Sequence, residues 1–358
     1  MDKNQLLESL NISIPIIQAG MAGGPTTIEL VAQVSEHGGL GTLGAGYMSS
    51  EQIRDAIRKI REMTDKPFAV NLLIYEQPLT VDEDLLNAAA KTLDPYRCEL
   101  GLPAFQGLEP AKCDFAQRFE VILEEKPPVF SFTFGLLNNS QIAALQERQI
   151  KTIGTATTVH EAKILEDLGV DVIVAQGSEA GGHRGTFDCS FEAALVGTMS
   201  LIPQIVDNVT RPVVAAGGIA DGRQMAAALA LGASGVQIGT AFLLTEEAGT
   251  SVVHRQAILA SHDTSTVLTN VFSGKPARAI QNTFVNQMTK KDKPIPPYPI
   301  QNALTRDVRK EAAKHGKAEW MSLWAGQSSA LARPCTAGEL IQSILDGYHN
   351  TISKLADL

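Results

Sequence analysis

His183 is the residue best placed for acid–base chemistry. It closes the run Ala175-Gln-Gly-Ser-Glu-Ala-Gly-Gly-His183, which continues as Arg184-Gly185. Four glycines (Gly177, Gly181, Gly182 and Gly185) crowd this short loop and give its backbone unusual freedom. Imidazole is the side chain most easily poised as acid or base near neutral pH. A lone surface-loop histidine usually has no role, but this glycine-rich setting argues for one. The six other histidines, His37, His160, His254, His262, His315 and His349, fall in helical or C-terminal segments and are assigned none. Two more glycine-bearing runs read Ala216-Gly217-Gly218-Ile219 and Gln237-Ile238-Gly239-Thr240. Glycine lets backbone N–H groups approach an anion, and a helix beginning at such a loop adds a favourable dipole. Either run alone could be only a tight turn; the two together point to phosphate binding.

These residues need a scaffold, and the sequence supplies eight short apolar runs with helical patterns between them. The runs are Ile14–Ala19, Gly39–Ala45, Pro67–Ile74, Pro128–Gly135, Lys151–Ala156, Val170–Gln176, Pro212–Ala216 and Gly235–Phe242. They are nearly continuous rather than alternating, as expected of parallel strands covered on both faces. Thr26–His37, Ser50–Met63, Val159–Leu168 and Arg223–Leu231 carry helical spacing, with serines able to cap the second. The reading is an α/β fold, a (β/α)8 TIM barrel. A doubly wound sheet would usually carry a dinucleotide fingerprint after its first strand, and Gly20-Met-Ala-Gly-Gly24 does not fit it.

Two parts lie outside the repeat. The expected division assigns residues 1–75 and 126–262 to the barrel. Residues 76–125 and 263–358 would form a smaller, mostly helical lid or substrate domain over its mouth, which would also serve as a homodimer interface. Lys290–Pro299 cannot be helical, because proline removes donors and fixes φ.

In a barrel, chemistry sits at the C-terminal strand ends. That rule selects the loop from Ala19 to Gly24, Asn71, Thr133, the His183 loop and both glycine runs. Asn71 and Gln176 are neutral amides suited to a heterocycle of mixed donors and acceptors, such as a flavin ring. Loop backbone could satisfy them equally well. No Ser-His-Asp order, H-E-x-x-H, Walker loop or kinase signature is present, and the strand ends are poor in metal ligands.

Composition narrows the classes further. The 358 residues are 44% hydrophobic and 19% charged, which argues against disorder. The formal charge of −9 lacks the footprint of a nucleic-acid binder. Neither a signal peptide nor a membrane span is expected. Cys98, Cys113, Cys189 and Cys335 form no C-x-x-C pair and suit reduced thiols in a cytoplasmic protein.

The motifs resemble the nitronate monooxygenases, formerly called 2-nitropropane dioxygenases. Ala175–His183 matches the bacterial A-Q-G-x-E-A-G-G-H motif without a mismatch, and Pro15–Gly23 resembles P-I-I-Q-A-P-M-A-G. Ala215–Ile219, Gln237–Phe242, Ser273–Arg278 and Trp324–Gln327 are also similar. The resemblance implies a barrel holding FMN non-covalently, with phosphate on Gly218, Gly239 and Thr240. Met21, Asn71, Gln176, Gly181, Gly217, Gln237 and Ile238 would line or contact the flavin. It further implies oxidation of small alkyl nitronates, of the propionate 3-nitronate type, with O2 to a carbonyl compound and nitrite. His183 would stabilise the anion as an imidazolium or remove the α-proton of a nitroalkane. Tyr298 would lie on the substrate side. So would Thr133, which stands where some members carry histidine and so alters polarity there. FMN-dependent enoyl-acyl-carrier-protein reductases or quinone reductases using NAD(P)H are the alternative. The enoyl reductases typically read E-G-M-E-A-G-G-H in the sixth loop, and Gln176 favours the monooxygenases.

Overall fold

Neighbouring residues of the strands pack on opposite sides of one sheet, which explains their continuous apolar runs. In the computed structural model, which describes residues 5–75, 82–108, 115–290 and 293–357, Ile17, Ala69, Val129, Val174 and Val214 share one buried cluster. Their neighbours Ile16, Val70, Phe130, Ile173 and Ala215 belong to another, shared with the surrounding helices. Burial on both faces leaves no position for a polar alternation.

The strands are β1 (Ile16–Gln18), β2 (Gly41–Gly44), β3 (Phe68–Leu73), β4 (Val129–Thr133), β5 (Lys151–Ala156), β6 (Val172–Gln176), β7 (Gly182–His183), β8 (Val213–Ala216), β9 (Gly235–Ile238), β10 (Thr266–Thr269) and β11 (Ala277–Ile280). Eight of them form a parallel sheet in the order β1-β9-β8-β6-β5-β4-β3-β2. A parallel bridge between Ile17 and Leu40 brings its two edges together. Leu40 N–H donates to Ile16 O at 2.9 Å, and Gln18 N–H to Leu40 O at 3.0 Å. The sheet is therefore a (β/α)8 barrel. Leu6 and Leu10, from the helix Gln5–Leu10, join the inner cluster.

All eight expected strands form. The last is shorter than the apolar run suggests: β9 stops at Ile238, and Thr240–Leu244 turns into a 3-10 helix. Helix starts follow their caps. Ser49 and Gln52 form a reciprocal capping box at Ser50–Met63, as Asp221 and Gln224 do at Gly222–Ala230.

Outside the barrel, the helix Glu83–Glu99 packs Ala89, Leu93 and Tyr96 against Phe272, Phe284, Leu304, Val308 and Trp320. Two helices that the expected boundaries leave outside the barrel pack on it instead. Phe115–Glu125 contributes Phe119 and Ile122 to the barrel cluster, and Ala337–Ala356 contributes Leu340, Ile341 and Ile344. Antiparallel pairing runs β10-β11-β7, with Ala277 opposite His183 and Arg278 opposite Gly182. This register carries the C-terminal part of the chain to the barrel mouth. Among the described residues no helix is long and apolar enough to cross a membrane.

Candidate active site

A cavity of about 220 Å³ opens at the C-terminal strand ends. Met21, Asn71, Thr133, Gln176, Gly181, His183, Gly217, Gly218, Gln237, Gly239 and Thr240 all line it. Ile238 does not; its side chain is fully buried in the barrel cluster. Tyr298 is buried behind His183, with the two ring centres 6.0 Å apart.

The two glycine runs face the cavity with unused donors. The backbone N–H groups of Gly218, Ile219, Gly239 and Thr240 find no acceptor among the described residues. Buried or half-buried N–H groups rarely go unpaired, so four together form a ready cradle for an anion. Gly218 has φ +72°, a left-handed conformation that favours glycine. Its carbonyl is taken by the Ser328 hydroxyl at 2.7 Å, and Ser328 in turn accepts from Gln224 Nε2 at 2.8 Å.

The amides divide in their roles. Gln176 is held by the loop: its Nε2 donates to the His183 carbonyl at 3.1 Å, and its Oε1 accepts from Gly185 N–H at 2.8 Å. Asn71 donates to Ser131 Oγ at 3.0 Å. Gln237 makes no side-chain hydrogen bond to any described residue and remains available at the cavity wall.

Arg184 braces the His183 loop from inside. Fully buried, it donates to the carbonyls of Gly177 (2.5 Å), Gln176 (3.0 Å) and Ala194 (3.0 Å). Buried Glu161 accepts from the backbone N–H groups of Thr157, Phe187 and Asp188 on the far side of the loop.

The rings of Trp324, Phe134 and Tyr298 enclose His183 at 5.1, 5.5 and 6.0 Å. Its Nε2 lies 2.8 Å from Ser273 Oγ. Burial pulls its pKa down to about 3, reinforced by the charges of Lys275 and Arg309, so the ring is neutral near pH 7. This runs against the imidazolium expectation. Lys275 Nζ sits 4.7 Å over the Phe134 ring and donates to Thr186 O at 3.1 Å. Arg309 is spent on neutral acceptors, including Asn302 Oδ1 at 2.8 Å and Thr305 Oγ1 at 3.1 Å. Neither cation has an ion-pair partner among the described residues. Glu161 acts on Lys275 and Asp307 on Arg309 only at a distance, not in a direct ion pair.

His254, given no role on sequence grounds, also lines the cavity. Its Nε2 bonds Trp324 O at 3.1 Å, and burial pulls its pKa down to about 4. Ser273, Lys275, Arg309, His254 and Trp324 all follow the eight-strand repeat. Their only sequence signals were the similar motifs Ser273–Arg278 and Trp324–Gln327.

Comparison with known proteins places this geometry in a family. The nitronate monooxygenase family model matches residues 3–347. A probable nitronate monooxygenase of Staphylococcus saprophyticus is 50% identical, covering 96% of this chain and 97% of its own. One from Staphylococcus haemolyticus is 48% identical, covering 96% of each chain. Among solved structures, the nitroalkane oxidase of Streptomyces ansochromogenes superposes with a TM-score of 0.90 at 37% identity, covering 98% of this chain and 99% of that one. FabK of Thermotoga maritima gives 0.78 at 31% identity, covering 100% and 99%. With its barrel, its strand-end cavity and a family match spanning nearly the whole chain, this protein belongs to the nitronate monooxygenase family.

Proposed function

We propose that the chain binds FMN and oxidises small alkyl nitronates, of the propionate 3-nitronate type, with O2 to a carbonyl compound and nitrite. The observation that carries this reading is the pair of cations without a direct ion pair, Lys275 and Arg309, whose charges act on a neutral His183. A site of that charge favours an anionic substrate, and a nitronate is an anion.

The residues present fit FMN. The four free N–H groups of Gly218, Ile219, Gly239 and Thr240 suit its phosphate, and the unpartnered amide of Gln237 suits its ring. When bound, FMN would supply the electron acceptor. Gln176 and Arg184 fix the loop that carries His183, while Trp324, Phe134 and Tyr298 exclude water around it. His183 meets the substrate as a neutral group and Lys275 provides the positive field. His183 can hold a proton taken from a nitroalkane. Stabilisation as a standing imidazolium would need a pKa far above about 3.

The test is an anaerobic absorbance titration of the purified flavoprotein with NADPH, NADH and then propionate 3-nitronate. Reduction by the nitronate alone, followed in air by nitrite formation, is the expected result. Rapid bleaching by NADPH or NADH would make the protein an FMN-dependent enoyl-acyl-carrier-protein or quinone reductase instead.

A further inference from the structure

The Ser273 hydroxyl has more neighbours than it has hydrogens. The residue is fully buried. Its Oγ lies 2.8 Å from His183 Nε2, 3.0 Å from the Lys275 carbonyl oxygen and 3.3 Å from the Lys275 nitrogen. A hydroxyl offers one hydrogen and two lone pairs. The Lys275 carbonyl can only accept, and it has no other hydrogen bond among the described residues. It therefore takes the hydroxyl hydrogen. Lys275 N–H occupies one lone pair. The remaining lone pair faces Nε2, which must then carry the ring proton. In the opposite arrangement Ser273 would donate to Nε2 and leave the half-buried Lys275 carbonyl without a donor among the described residues.

From this we infer that Ser273 is a positioning residue that holds His183 as its Nε2–H tautomer and leaves Nδ1 as the ring's acceptor. No described residue hydrogen-bonds Nδ1, and His183 lines the cavity.

The turn that presents Ser273 is itself fixed. Gln301 Nε2 donates to Val271 O at 2.7 Å, and Thr305 Oγ1 donates to Phe272 O at 2.5 Å. Both residues are fully buried. Gly274, with φ +79°, lies so close to the proline segment that an added Cβ would stand 2.2 Å from Pro296 O. On the other side, β7 and β11 pair Ala277 with His183. The hydroxyl and the ring are thus held from two separate elements.

The inference rests on the reading proposed above only for its use. With a nitroalkane, the α-carbon's proton would pass to Nδ1 and the C–H electron pair would become the C=N bond of the nitronate. The resulting imidazolium keeps its Nε2–H donated to Ser273. The opposite tautomer would present a donor where an acceptor is needed.

The experiment is long-range 1H–15N correlation on the flavin-loaded protein labelled with 15N-histidine, at neutral pH. The His183 signals are identified by their loss in His183→Asn. The wild type is expected to show a protonated Nε2 and an unprotonated Nδ1. In Ser273→Ala the population should shift towards Nδ1–H, and kcat for a nitroalkane should fall roughly ten- to a hundredfold with KM little changed. Ser273→Thr, which keeps the hydroxyl, should recover both. A wild-type Nδ1–H ring overturns the inference, as does a Ser273→Ala ring that keeps the wild-type tautomer. Should Ser273→Ala not fold, the wild-type and Ser273→Thr spectra decide. A protein that shows the expected tautomers but turns over neither nitroalkanes nor nitronates supports this inference and defeats the proposed reaction.

Discussion

Gln176 spans the backbone of His183, donating from Nε2 to the His183 carbonyl at 3.1 Å while its Oε1 accepts from Gly185 N–H at 2.8 Å. The amide needs both its donor and its acceptor to do this. Glutamate offers only acceptors when ionised, so Gln176→Glu would place a carboxylate against a carbonyl oxygen. The variant should fold and load flavin but lose roughly a hundredfold in kcat/KM, because small displacements of a reacting group are costly. Steady-state kinetics check this at a pH well above the carboxylate range. Activity within twofold of wild type would show that the bridge is dispensable.

His183 and His254 make stability depend on pH in a defined direction. His183 is depressed to about 3 and His254 to about 4, each from 6.5, mainly by burial. Below about pH 6.5 the unfolded chain takes up protons that the folded chain refuses. Their contribution is therefore complete above pH 6.5 and shrinks as pH falls towards each folded pKa. Each histidine steepens the loss by up to about 1.4 kcal/mol per pH unit. Carboxylates such as Glu125 and Glu166, ordinarily near 4.5 and here lowered, stabilise the fold above that value and add to the loss only from about one pH unit above it downwards. The window from about 6.5 to 5.5 thus belongs to the histidines. Urea unfolding at several pH values across it should show falling stability, with a shallower slope in His254→Gln. An unchanged slope in that variant would remove His254 from the account.

Much of the scaffold was legible because parallel strands buried on both faces leave a plain apolar signature. Ile16 and Ile17 face different clusters, and so do Val129 and Phe130; no alternation was there to confuse the reading. The glycine runs and the His183 loop followed once the strand ends were known. Gln176 could be read only as far as a choice between flavin and loop backbone. The structure ties both ends of its amide to the loop. Arg309 could not be read at all. It sits in the charged helix Arg306–Lys314, whose pattern resembles a solvated face, yet it is half-buried and bonded to Asn302 and Thr305. His254 occupies an ordinary helix, Val252–Leu259, and acquires its meaning from Trp324, far along the chain. Ser273 reaches His183 through strand pairing across most of a hundred residues, a relation without local periodicity.

Lys275 should act through charge more than through contact. Its ammonium helps depress His183 and has no ion-pair partner among the described residues. Lys275→Met retains much of the apolar stem beside Phe134 and removes the charge. KM for an anionic nitronate should rise roughly tenfold, consistent with about 1.4 kcal/mol lost from one partly buried charge interaction. Added salt should weaken wild-type binding more than variant binding. A variant with wild-type KM and the same salt response would assign anion recognition elsewhere.

The phosphate cradle can be tested separately from the flavin ring. At Gly218, a Cβ would stand 2.3 Å from Glu179 Oε2, on a backbone with φ +72°. Glu179 has little freedom to yield, because its other oxygen accepts from Thr198 N–H at 2.6 Å. Gly218→Ala should therefore displace the loop that carries the Gly218 and Ile219 N–H groups. FMN would lose affinity by ten- to a hundredfold, roughly the loss of one or two charge-assisted hydrogen bonds. Riboflavin, which presents the same ring without phosphate, should lose little. Fluorescence titration of the flavin-free protein with both ligands separates the two effects. Equal losses for FMN and riboflavin would mean that the substitution disturbs the ring pocket, and the four free N–H groups would then need another ligand.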